Sequence, residues 1–203
     1  MNIVPFPVYH SGMASSDRQR ERQQQRVRQA ERLLGEVLRA TESQRLANSV
    51  WLTWPLAKTV LSAIAWFLTD KIVHPSGYSL LSLCVVKAFR RYEQRRLQLG
   101  TADDIRVLVA FLTGAFEALP AVIEVQVRDG IHDWDPLQGQ PLGEWLEVHP
   151  NASFELVEPQ GEAADRSPEA LRLLWLGQLL PADDLGAISS HLSSICSGNP
   201  SER

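Results

Sequence analysis

The sequence predicts a mainly helical α+β fold: a long polar N-terminal helix, a helical middle, a small β region over about 121–158 and C-terminal helices. Three observations predict it. Residues 16–45 are rich in Arg, Gln, Glu and Leu, with Gly35 the one interruption, and such side chains lose little rotamer freedom in a helix. Apolar residues then recur three and four apart through the middle of the chain. Near residue 121 the period falls to two, in AVIEVQVR, as in a half-buried strand.

With 203 residues, 44% of them hydrophobic, the chain can hold one domain of ordinary size and an extension. The division expected is 1–15 as a flexible segment, 16–46 as an exposed polar helix, 47–184 as a globular α+β domain and 185–203 as a polar tail. Cys84 and Cys196 are two lone cysteines, so no disulfide framework is implied and a reducing compartment fits. The N-terminus lacks a basic region followed by an apolar run, the pattern of a secretory signal, and the expected location is cytoplasmic. Charge is divided unevenly: residues 1–100 carry 15 Lys/Arg against 7 Asp/Glu, and residues 101–203 carry 5 against 17. A basic half suits an acidic surface or a nucleic acid, and the acidic half of a neighbour is one such surface.

Ile3, Val4, Phe6, Val8 and Tyr9 form an apolar cluster spaced by Pro5 and Pro7, which forbid a helix. Such a segment is either a frayed terminus or a docking peptide with Phe6 and Tyr9 as its contacts. In the polar helix, Val27, Ala30, Leu34, Val37 and Thr41 alternate three and four apart with Leu33 and Leu38 beside them. That spacing gives barely two heptads, so the stripe serves either a short coiled coil, with Val27, Leu34, Val37 and Leu38 facing a partner or second copy, or packing on the chain's own domain.

Residues 50–68 are the most hydrophobic window, almost long enough to span a membrane, with Trp51, Trp54 and Trp66 near its ends in the manner of an aromatic belt. Lys58 sits inside it, at a cost of about 3 kcal/mol for a span. A core helix with a narrow wet edge through Lys58, Ser62 and Thr69, opened by Pro55, fits better. Residues 78–99 read as a helix that turns basic from Lys87 and ends at Gly100. Lys87, Arg91 and Arg95 share one face, which suits either phosphate or the C-terminal dipole with solvent around it.

Thr101 is the expected cap of a helix over 102–119, with Asp104 completing a capping box and Pro120 stopping it. AVIEVQVR is then a strand that turns at Asp129 and Gly130, WLEVHP and SFELVEP are two further strands, and Ser167 caps a helix running to Pro181. Past Asp184 a weak helix fades into a serine-rich tail in which His191 is exposed.

Chemistry is sparse. His132, Asp133 and Asp135, and then Glu144, Glu147 and His149, are the clusters nearest to acid–base or metal groups, and neither has ligand spacing. No phosphate loop, nucleophile elbow or paired-cysteine motif occurs. No catalytic residue, metal or cofactor is therefore assigned.

The layout of AVIEVQV followed by WLEVHPNASFELVEPQG and a closing helix resembles the stator family of type III secretion and flagellar ATPases, the HrpE/YscL/FliH type. The small-residue helix repeats of the flagellar members have no counterpart here. The resemblance implies a dimeric, non-enzymatic scaffold that binds a secretion ATPase through its C-terminal domain. The function expected is structural or assembly work through protein–protein contacts or self-association. Nucleic-acid binding through the Arg-rich helices is the first alternative, and membrane association through 50–68 the second.

Overall fold

A computed structural model describes residues 11–159, 164–180 and 182–197, with side chains from Arg20 onward. The fold is the mainly helical α+β arrangement expected. It begins with α1 (Ser11–Ala40), α2 (Gln44–Thr53), α3 (Pro55–Leu68), α4 (Leu80–Leu99) and α5 (Ile105–Glu117). A 3-10 turn over Leu119–Glu124 leads into β1 (Val125–Asp129), β2 (His132–Trp134), α6 (Leu142–Val148) and β3 (Ser153–Leu156). The chain closes with α7 (Pro168–Leu179), α8 (Ala182–Ala187) and α9 (Leu192–Ser197).

The opening helix ends earlier than its composition suggests. At Thr41 and Glu42 the chain turns, with Glu42 in left-handed backbone at φ 55°, and α2 starts anew at Gln44. Trp54 separates α2 from α3, whose first residue is Pro55, where a missing N–H removes no helical hydrogen bond. The apolar window 50–68 is thus divided between two helices that meet at Trp54. Among the described residues the stretch long and apolar enough to cross a membrane is 105–124, and 72% of its window is buried inside the fold.

α4 and α5 form the central hairpin. Gly100 at φ 72° caps α4, its N–H donating to the Arg96 carbonyl. The cap of α5 is Asp104, which accepts from the Arg106 N–H at 2.8 Å; Thr101 stands too far upstream, and the helix starts three residues later than expected. Where the two helices cross, a Cβ on Gly114 would lie 2.4 Å from the Lys87 carbonyl oxygen, so glycine permits direct backbone contact. Phe111 packs edge to face against both Trp51 and Phe89, which are tilted to each other at 54°.

The sheet has the order β2-β1-β3, antiparallel throughout. Val127 stands opposite Trp134 on one side and Phe154 on the other, so one pleat face is apolar and covers the helices. Phe67 of α3 joins Trp134 to Trp175 of α7, and the Trp175 indole N–H donates to the Pro136 carbonyl at 3.1 Å.

Two readings of this region need correction, and one strand is additional. Residues 121–124 are 3-10 helix, because Pro120 opens a turn before the alternation begins. WLEVHP is helical up to Val148: Leu142 and Trp145 are buried three residues apart on one face of α6. IHDWD supplies β2, which the hairpin turn at Gly130, φ 62°, pairs to β1. The C-terminal segment is also more than a tail, since Ile188, Ile195 and Cys196 are buried, with α9 lying on α5 and α7. His191 is half-buried.

Candidate interaction groove

The stripe on α1 divides in two. Leu33, Leu34, Val37 and Leu38 are buried, Leu34 to 2% exposure, and Leu34, Val37 and Leu38 belong to the same core as α3 and α4. This corrects their assignment as partner contacts: of the two uses open to the stripe, packing on its own domain is the one these three serve. Burying each gains roughly 1.5–3 kcal/mol. Val27, two turns from Leu34 toward the N-terminus, remains 52% exposed.

Beside Val27 runs a groove between α1 and α3 with a volume of about 450 Å³. Val27 and Ala30 line it from α1, Ala63 and Trp66 from α3. Its rim is charged. Lys58 Nζ lies 2.6 Å from Glu31 Oε1, joining the wet edge of α3 to α1. Arg26 Nη2 lies 3.2 Å from both Glu144 and Glu147 of α6, so the acidic half of the chain is already met, in cis, by an arginine of the basic helix. Nε of Arg26 is buried and has no hydrogen-bond partner among the described residues. α6 is drawn close here by Gly143, where a Cβ would lie 2.7 Å from the Trp66 ring.

The other site residues are dispersed. Phe6 and Tyr9 lie outside the described residues. Lys87 and Arg91 do share a face, but both turn to Glu117 of α5: Lys87 Nζ at 2.9 Å and Arg91 Nη2 at 2.7 Å. Burial alone would push the Glu117 carboxyl up; the two hydrogen-bonding cations outweigh it and hold it below the usual carboxylate range. Both cations are therefore engaged within the fold, and Glu117 offsets one of their two charges, which lowers what this face presents to phosphate. Arg95 donates to Gln98 at 3.0 Å.

Arg45, Arg90 and Arg96 line a second, open groove between α2 and α4, together with Glu42 and Glu93, and this mixed sign weakens its pull on a polyanion.

His132 and His149, distant in sequence, do come together, their rings 5.2 Å apart. His149 stacks on Trp145 at 4.1 Å and its Nδ1 lies 3.2 Å from Asp129 Oδ2. Glu144 and Glu147 face Arg26, and Asp133 holds Arg128 at 2.7 Å, so the clusters divide into local ion pairs. Among the described residues no group of three or more His, Cys, Asp or Glu is arranged to hold a metal. Cys84 is sealed in the core, and burial pushes its thiol up to about 12, leaving it protonated and inert.

Sequence reasoning missed Trp66 and Ala63 as neighbours of Val27. The lone valine in a polar helical stretch and the wet edge at Lys58 were signals for a contact, but the pairing of α1 with α3 is tertiary. Comparison of the chain with protein-family models, with curated proteins and with solved structures finds no match in any of the three.

Proposed function

We propose that this chain is a non-enzymatic structural or assembly protein working through protein–protein contacts, made by the exposed part of α1 and the groove it forms with α3. One observation carries the reading. α1 is rooted in the core by Leu34, Val37 and Leu38 yet leaves Val27 half exposed beside an apolar cleft. A rooted helix presents such a surface at little ordering cost, which favours binding. Its flanking side chains, among them Arg20, Arg22 and Arg28, are exposed.

Membership of the stator family is one specific form of this proposal. Of the layout behind it, β1, β3 and the closing helix α7 stand, whereas WLEVHP is helical. Nucleic-acid binding has less support, because Lys87 and Arg91 are engaged with Glu117. Retained binding to DNA or RNA at moderate salt favours that alternative.

The test is a photo-crosslinking residue placed at position 27, with position 173, another exposed apolar site, as control. In the source cells, discrete protein adducts at 27 and none at 173 are expected. A position 27 that traps no protein overturns the proposal.

A further inference from the structure

The groove has a particular chemistry: apolar walls and an indole with a donor to spare. Arg26 offers little, since its Nη2 is held by Glu144 and Glu147 and its Nε is sealed from solvent. The indole N–H of Trp66, like those of Trp51 and Trp145, has no acceptor among the described residues, whereas those of Trp54, Trp134 and Trp175 donate to backbone carbonyls. A fitting ligand is apolar, uncharged and richer in acceptors than donors. Proline supplies a carbonyl but no N–H, and extended Pro-spaced segments dock in aromatic-lined grooves with little loss of entropy.

This chain carries such a segment. Residues 1–9 contain no charged side chain, and Pro5 and Pro7 flank Phe6. Reach decides whose groove it can fill. Phe6 is five residues from Ser11, where α1 begins, a span of at most about 18 Å. Val27 is sixteen residues along the helix from Ser11, about 24 Å away. The groove begins nearer, at Gln23, about 18 Å from Ser11, but a segment that must first reverse direction spends about two of its five residues on the turn, and the remaining reach of about 11 Å leaves Phe6 short of its own groove.

Resting on the protein–protein reading above, we infer that the groove between α1 and α3 receives the Pro-spaced segment around Phe6 of a second copy of this chain. Phe6 fills the space bounded by Val27, Ala63 and Trp66, and a carbonyl of the segment accepts from the Trp66 indole. Exchange in both directions gives a closed twofold pair in which each copy donates one segment and receives one.

Sedimentation equilibrium of the purified full chain, up to about 200 µM because short-segment contacts are commonly micromolar, tests this together with Phe6→Asp and Val27→Asp. Val27 is exposed, and thermal unfolding confirms that each variant keeps its fold. The expected result is a concentration-dependent dimer weakened about tenfold or more by either variant, with no further loss in the double variant, since both remove one contact. A full chain that stays monomeric throughout the range overturns the inference, as does a dimer indifferent to either substitution. Should the pure chain be monomeric while position 27 still captures a protein in cells, the second-copy inference fails and the protein–protein reading stands.

Discussion

Residues 20–29 and 30–40 of α1 are consecutive parts of one helix, each carrying four or five charged side chains, yet one part is almost wholly exposed and the other supplies five buried residues. Helical propensity does not separate them. The difference lies in what stands opposite: α1 runs for thirty residues and α3 for fourteen, about 45 Å against 21 Å. A short partner cannot cover a long helix. The stripe that begins at Val27 therefore emerges from the core one turn before it ends, and the groove lies at that point of emergence.

The largest effect that can break this contrast is on the rooted side. Leu34→Ala removes a side chain 2% exposed in the core and is expected to cost about 2–5 kcal/mol, through lost burial and the cavity left behind. Urea unfolding measures it. A cost under about 1 kcal/mol implies that α1 is not anchored where the contrast requires, and the exposed part then loses its fixed base.

Next is the central hairpin on which α1 rests. Gly114→Ala places a Cβ 2.4 Å from the Lys87 backbone oxygen, which no side-chain movement relieves, and α4 and α5 must separate. A loss of about 1–3 kcal/mol is expected, in the range of overpacked cores. A neutral result means that the hairpin adjusts freely.

A smaller effect tests the basic face of α4. Since the folded Glu117 carboxyl is held below its usual value, its stabilisation is full above the unfolded pKa and is lost as pH falls through the lowered folded value. Glu117→Gln should flatten the stability profile below about pH 4.5. At neutral pH it should cost no more than about 1 kcal/mol, because the pair is partly open to solvent and screened. The same variant frees Lys87 and Arg91, so a gain in salt-sensitive nucleic-acid binding over the parent chain shows that Glu117 masks that face.

The legibility of these features follows their range. Helix ends governed by one residue are readable: Gly100 stops α4, Pro55 starts α3, and Ser167 caps α7 by accepting from the Ala170 N–H at 3.2 Å. Short elements governed by tertiary contact are not. In seven residues α6 shows too few turns for its period to emerge, and its burial against Trp66 comes from a helix nearly eighty positions earlier. β2 has three residues and exists because β1 offers it a ladder. Asp104 and Thr101 are both good caps by type, and only the helix start decides between them. For the candidate site, Val27 is visible as an isolated apolar residue and Lys58 as an interruption. Their neighbours Glu31, Glu144 and Glu147 look like ordinary surface acids until the fold sets them beside Lys58 and Arg26.

The smallest expected effect is the one that most sharpens the comparison. Val27→Ala removes two methyl groups on the same helix as Leu34, two turns away, so helix propensity improves slightly while little burial is lost. The change in folding stability should stay within about 0.5 kcal/mol, measured in the same urea titration as Leu34→Ala. If Val27→Ala instead costs more than about 1.5 kcal/mol, the groove is closed in solution and Val27 belongs to the core, which removes the docking surface. If stability is unchanged but the yield of adducts at neighbouring position 23, on the same groove, falls with the substitution, then Val27 contributes to binding and not to folding. That separation is what the two parts of α1 imply: the buried part of the stripe holds the helix in place, and the exposed part is available to something else.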